Sequence, residues 1–138
     1  PLWQHLINYR CGTGHSVSFV GNVHEGPHAL NGRNTVVFKP GMIITDEPGV
    51  YEGGVVGIRI ENELECYHKA TNQYGEFLAF KPVMYVPIDT SPIVPGILTR
   101  DELDWLNNYH RQVFEKLAPR LNDEERDWLA KKCAAIGA

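Results

Sequence analysis

Two histidines and two glutamates are the residues of this sequence best suited to chemistry. His15 and His24 lie in one short glycine-punctuated segment, GTGHSVSFVGNVHEGP, residues 12–27. They stand nine positions apart, so a regular strand would turn them to opposite faces. A bulge at Gly21 could bring both into one cleft; otherwise they are two partly exposed strand histidines. Glu47 precedes Pro48-Gly49, and Glu61 shares one face of VVGIRIENELECY (residues 55–67) with Arg59 and Glu63. If these strands pair through Gly53-Gly54, the two carboxylates approach each other. Carboxylates with imidazole nearby form a donor set for Mn²⁺, Co²⁺ or Zn²⁺. The competing reading is a solvated acidic strand face with Arg59 as its counter-ion.

Other singletons weigh less. His28 lies just past Gly26-Pro27 and could line the same cleft as His24. His5, His68 and His110 read as structural or exposed. Trp105, Tyr109 and Phe114 sit at helical spacing and read as packing. GTGH is too short, and in the wrong context, to bind phosphate, and no P-loop, nucleophile elbow or dinucleotide fingerprint occurs.

The elements that must position these residues follow from turn and periodicity signals. Apolar residues at positions 2, 3, 6 and 7 read as the tail of an amphipathic helix over Pro1–Asn8. Residues 12–27 read as a twisted or bulged strand, and 28–39 as a polar connection with an Asn31-Gly32 turn. Turns at Pro40-Gly41, Pro48-Gly49 and Gly53-Gly54 bound a strand over Met42–Asp46 and a long one over Val55–Tyr67. Phe77–Ile88 is a further strand, interrupted at Pro82. Beyond Pro95 the pattern turns helical. Thr99 and Glu102 form a capping box, and Leu103, Leu106, His110, Val113 and Leu117 recur on one face. Asn122 opens a second helix with Trp128, Leu129 and Cys133 inward. Strands first and helices last argue for an α+β fold.

Composition bounds the function classes. The chain has 138 residues, 43% hydrophobic and 22% charged, an ordinary globular composition. No apolar run approaches the roughly 20 residues of a membrane span. Net charge is −4 without a Lys/Arg cluster, so a nucleic-acid partner is not expected. Three widely spaced cysteines suit reduced thiols in a cytoplasmic setting. The chain opens at Pro1, without an initiator Met or a signal-peptide pattern, which suggests that sequence precedes it.

Four segments in order, GTGHSVSFVGNVHEGP, GMIITDEPGVYEGG, VGIRIENELEC and LTRDELDWLNNYH, resemble the C-terminal part of the aminopeptidase P family. These Xaa-Pro aminopeptidases belong to the pita-bread metallopeptidases. The resemblance implies the C-terminal half of a pita-bread fold over residues 1–97, with a curved antiparallel sheet, and a helical tail over 98–138. It implies His15, Glu47 and Glu61 as metal ligands, with Glu61 bridging two ions. Glu47 and His24 take catalytic roles, Arg59 orients a ligand carboxylate, and His24, His28 and Cys11 border the substrate pocket. The cofactor implied is a pair of divalent metal ions, manganese first, then cobalt or zinc. The substrates implied are peptides cleaved before a penultimate proline, and the assembly implied is a homodimer.

Two departures matter. The family's two aspartate ligands and a further histidine lie upstream of the matching region, so this chain alone is expected to be inactive and to bind metal weakly or not at all. Cys11 stands where members often carry histidine, and SVSFVGN replaces a more glycine-rich stretch. The alternative is a non-catalytic pita-bread relative that binds a peptide or protein partner.

Overall fold

The computed structural model describes residues 2–94 and 96–137, which form two compact units that meet in the chain between residues 84 and 85. The first unit holds five antiparallel strands: β1 (Ile43–Asp46), β2 (Gly49–Glu52), β3 (Val56–Arg59), β4 (Asn62–Asn72) and β5 (Gly75–Pro82). They make a three-stranded sheet in the order β1-β4-β5 and a two-stranded sheet of β2 and β3. Ile44 and Cys66 are its buried apolar anchors. Burial pushes the Cys66 thiol above its ordinary pKa, with Glu65 adding to the effect, and all three cysteines are free.

The two sheets share one register. Asp46 pairs with Asn62, and Gly49 pairs with Arg59. Continuing either ladder sets Glu47 opposite Glu61 and Pro48 opposite Ile60, whose N–H reaches the Pro48 carbonyl at 3.4 Å. The hairpin therefore runs through both sheets and loses regular pairing only at these residues. Pro48 explains part of the break, since it has no N–H to donate. The expected turn at Pro48-Gly49 is thus a strand-to-strand joint, and β2 was not foreseen. The expected single strand over Val55–Tyr67 divides at Ile60-Glu61.

Three further expectations change. Residues 12–27 form no regular strand; only the bridges His15↔Ala29 and Ser16↔Ile44 mark it. At the N-terminus a short 3-10 turn covers Leu2–His5, and Pro1 lies outside the described residues. The strand expected to reach Ile88 stops at Pro82. Its partner β4 runs on to a tight turn in which the Asn72 side chain accepts from Tyr74 N–H and Gly75 takes a φ of +124°. That conformation favours glycine.

The second unit is built on α1 (Arg100–Leu117) and α2 (Asp123–Lys132), each opened by a complete capping box, Thr99/Glu102 and Asn122/Glu125. Tyr109, Val113 and Leu129 form its core. Trp128, expected inward, is 56% exposed, while its neighbour Leu129 is buried. Residues 85–88 pack with the helices, because Tyr109 and His110 hold them there. The Tyr109 hydroxyl donates to the Val86 carbonyl at 2.9 Å. The Ile88 N–H donates to His110 Nε2 at 3.1 Å. No helix among the described residues is long and apolar enough to cross a membrane.

His110 is fully buried, and its Nε2 must keep a lone pair to accept from Ile88. Burial pushes its pKa below the ordinary value. The unfolded chain, titrating near about 6.5, then takes up the proton first as pH falls. This contribution to stability is complete above about pH 6.5 and lost as pH drops below it. Thermal unfolding between about pH 7.5 and about pH 5.5 should show a steeper loss for the wild type than for His110→Gln, whose amide oxygen can accept from Ile88 at any pH. Parallel losses would contradict this role.

Candidate metal centre

Strand β1 carries the centre. Side chains alternate along a strand, so Thr45 and Glu47 share one face while Asp46 turns to the other. Thr45 and Glu47 are both buried. The Asp46 carboxyl, on the opposite face, is pushed up by burial.

One edge of β1 pairs with β4; the other receives the chain around His15. The Thr45 N–H donates to the His15 carbonyl at 2.9 Å, and the Glu47 N–H to the Thr13 carbonyl at 2.7 Å. On its far side this segment meets residues 28–30, through Ser16 N–H to the His28 carbonyl and Leu30 N–H to the Gly14 carbonyl. Gly14 explains the close approach. A Cβ there would stand 1.9 Å from the Thr45 carbonyl oxygen.

Glu47 is the hub. Its Oε1 accepts from the Thr45 hydroxyl at 2.9 Å and faces His15 Nε2 at 3.0 Å. Its Oε2 takes the Arg59 guanidinium, delivered from β3 across the hairpin. Burial works against the Arg59 charge, but Tyr51, Glu47 and Glu61 outweigh it and hold its pKa above the ordinary value. The guanidinium also lies over the Tyr51 ring, 5.6 Å from its centroid.

The tautomer of His15 follows from its partners. A carbonyl oxygen only accepts, so Nδ1, 3.0 Å from the Ser16 carbonyl, carries a proton. Nε2 then holds either a second proton or a lone pair beside the Glu47 carboxylate. Metal-bound histidines typically donate their other nitrogen to a carbonyl in this way. Two donors each about 2.1 Å from one ion, at right angles, stand about 3.0 Å apart. His15 and Glu47 thus fit a divalent cation at two of its ligand positions. Among the described residues no group of three or more His, Cys, Asp or Glu side chains converges to hold one.

The other expected residues fall in different places. Glu61 faces Glu47 by register, is exposed, and acts electrostatically on Arg59. His24 is exposed and lies against His15, ring centroids 4.1 Å apart. His28 does not line an open cleft: it is buried, donates from Nε2 to the Ile43 carbonyl at 2.7 Å, and meets Phe38 edge-on. Cys11 borders a cavity of about 510 Å³ formed by residues 6–11 and 49–53, which His24 and His28 do not line. Thr45 was not singled out from sequence; its placement two residues before Glu47 on a strand was the available signal.

Residues 1–67 match metallopeptidase family M24, and residues 76–136 match the C-terminal region of peptidase M24. The chain belongs to family M24. It is 40% identical to Aminopeptidase P1 of Lotus japonicus over 99% of its own length and 22% of that protein. It is 41% identical to a probable Xaa-Pro aminopeptidase P of Coprinopsis cinerea, over 98% of its length and 23% of that protein. An X-prolyl aminopeptidase of Caenorhabditis elegans, a cytosolic enzyme with a di-nuclear active site, superposes with a TM-score of 0.86 at 38% identity. That alignment covers 98% of this chain and 23% of the enzyme. The chain therefore spans less than a quarter of the relatives it matches. The α+β class and the pita-bread fold expected from the motifs are those of this family.

The steric argument at Gly14 is testable. Gly14→Ala should separate the His15 segment from β1 and destabilise the fold by about 2 kcal/mol or more. Gly12→Ala, with nothing within 4 Å of the added carbon, should cost less than about 1 kcal/mol. Denaturant unfolding of the two variants checks this, and equal losses would contradict it.

Proposed function

We propose that this chain forms part of the dinuclear centre of a proline-specific aminopeptidase, contributing His15, Glu47 and Glu61 as metal ligands. The observation that carries the reading is the His15–Glu47 pair. Nδ1 is committed to the Ser16 carbonyl and Nε2 faces a carboxylate oxygen at 3.0 Å, on a chain of family M24.

Divalent cations, manganese first and cobalt or zinc next, would supply Lewis acidity and an ionised water for hydrolysis. The residues of this chain have separate tasks. Glu47 is held at both oxygens, by Thr45 and Arg59, so its carboxylate is oriented before any ion arrives. Arg59 balances the charge of Glu47 and Glu61. His24, exposed beside His15, would donate to a substrate carbonyl as charge develops on its oxygen. Cys11 and its neighbours border a space for a substrate side chain, and His28 shapes the site from within.

Residues 1–97 would be catalytic-domain sequence and 98–138 a tail. The substrates would be peptides with proline at the second position, the setting cytoplasmic, and the assembly a homodimer. Light scattering of the full-length protein at twice its monomer mass would support the dimer; a monomer would exclude it. The intact His15, Glu47 and Arg59 contacts favour an enzyme over a peptide-binding relative that has lost its metal.

The activity has a direct test. The full-length protein should release the first residue of a tripeptide with proline second, lose this after chelation, and regain it with Mn²⁺. Glu47→Gln should reduce kcat/KM by more than about 100-fold, beyond the range seen for outer partners of a metal site. The 138-residue chain alone should release nothing. Activity that survives chelation would refute the metal reading.

A further inference from the structure

Thr45 closes a ring of contacts around the two residues that face each other at the centre. The His15 backbone N–H donates to Thr45 Oγ1 at 3.0 Å. The Thr45 hydroxyl donates to Glu47 Oε1 at 2.9 Å. Glu47 Oε1 returns to His15 through Nε2 at 3.0 Å. The two directions through the Thr45 hydroxyl are fixed by chemistry. An amide N–H only donates and an ionised carboxylate only accepts, so the single hydroxyl proton must point at Glu47.

From this closed ring we propose that Thr45 is a positioning residue for metal binding, its hydroxyl holding His15 and Glu47 at the spacing of two ligands on one divalent cation. The proposal rests on the metallopeptidase reading above, and it concerns a residue that binds no metal itself. Three features separate it from ordinary core packing. Thr45 is only 3% exposed, so water does not replace its hydroxyl as donor or acceptor. Its hydrogen bond occupies one lone pair of Oε1 and thereby limits the directions left for an ion. It also links a side-chain ligand to the backbone of the other ligand, so a shift of the His15 segment is transmitted to the Glu47 carboxylate.

Serine keeps the hydroxyl and loses a methyl; valine keeps the shape and loses the hydroxyl. The test compares full-length wild type, Thr45→Ser and Thr45→Val for Mn²⁺ affinity, by competition with a chromogenic chelator. Melting temperature in EDTA reports the metal-free fold. Affinity should fall about 10-fold or more in Thr45→Val, the range expected for a partner outside the ligand set. In Thr45→Ser it should stay within about threefold of wild type, below that range. If Thr45→Val does not fold, Thr45→Cys replaces it, since a thiol is a weaker donor of similar size. A weaker affinity than in Thr45→Ser is again expected. Wild-type affinity in Thr45→Val, or equal losses in the serine and valine variants, would overturn the positioning role while leaving the metallopeptidase reading intact. A wild-type protein without Mn²⁺ affinity would overturn both.

Discussion

Glu47 is a carboxylate withdrawn from water, and an ionised group in that setting needs compensating partners. Each partner arrives from a different part of the chain. Thr45 comes from the same strand face, Arg59 from across the hairpin, and His15 from the segment laid along the opposite edge of β1. One buried charge therefore links three segments that local sequence would leave independent. Without Arg59 the carboxylate would keep its hydroxyl partner but lose its fixed positive charge. Without the His15 segment, β1 would present an unpaired edge. The side chains that satisfy the fold at this point are the side chains that face each other with metal-ligand chemistry.

The hairpin's continuous register gives this hub its second property. Glu47 and Glu61 stand opposite each other where regular pairing lapses between the two sheets. The Glu47 N–H points outward to Thr13, as the Thr45 N–H two residues earlier points to His15. Pro48 makes the lapse inexpensive, because it offers no N–H that would go unpaired. Irregular backbone flanked by regular strands is a common setting for functional residues.

Much of this was legible from sequence where the governing interaction is local. The Thr99/Glu102 capping box lies within four consecutive residues and was readable from residue type alone, as was the helix start at Asn122. The Gly53-Gly54 turn set the hairpin, and with it the register that puts Glu47 opposite Glu61. Interactions between distant residues were not readable. Residues 12–27 look like a strand by composition. In the folded chain only a few of them pair, held between β1 and residues 28–30, because Gly14 lets the backbone reach Thr45. His28 looked like a cleft residue from its closeness to His24, but the Ile43 carbonyl and Phe38 take it inside. Thr45 carried no signal beyond its place two residues before Glu47, since its role appears only when His15 and Glu47 flank it. Trp128 and Leu129 were both expected inward by helical spacing; α2 buries Leu129 and leaves Trp128 exposed.

The central claim is that His15 and Glu47 share a cation. Diffraction from crystals of the full-length protein grown with Mn²⁺, recorded at the manganese absorption edge, addresses it most directly. Two anomalous peaks are expected, one within bonding distance of both His15 Nε2 and a Glu47 oxygen, with Glu61 reaching both ions. An occupied manganese site elsewhere, with His15 and Glu47 bonded only to each other, would contradict it.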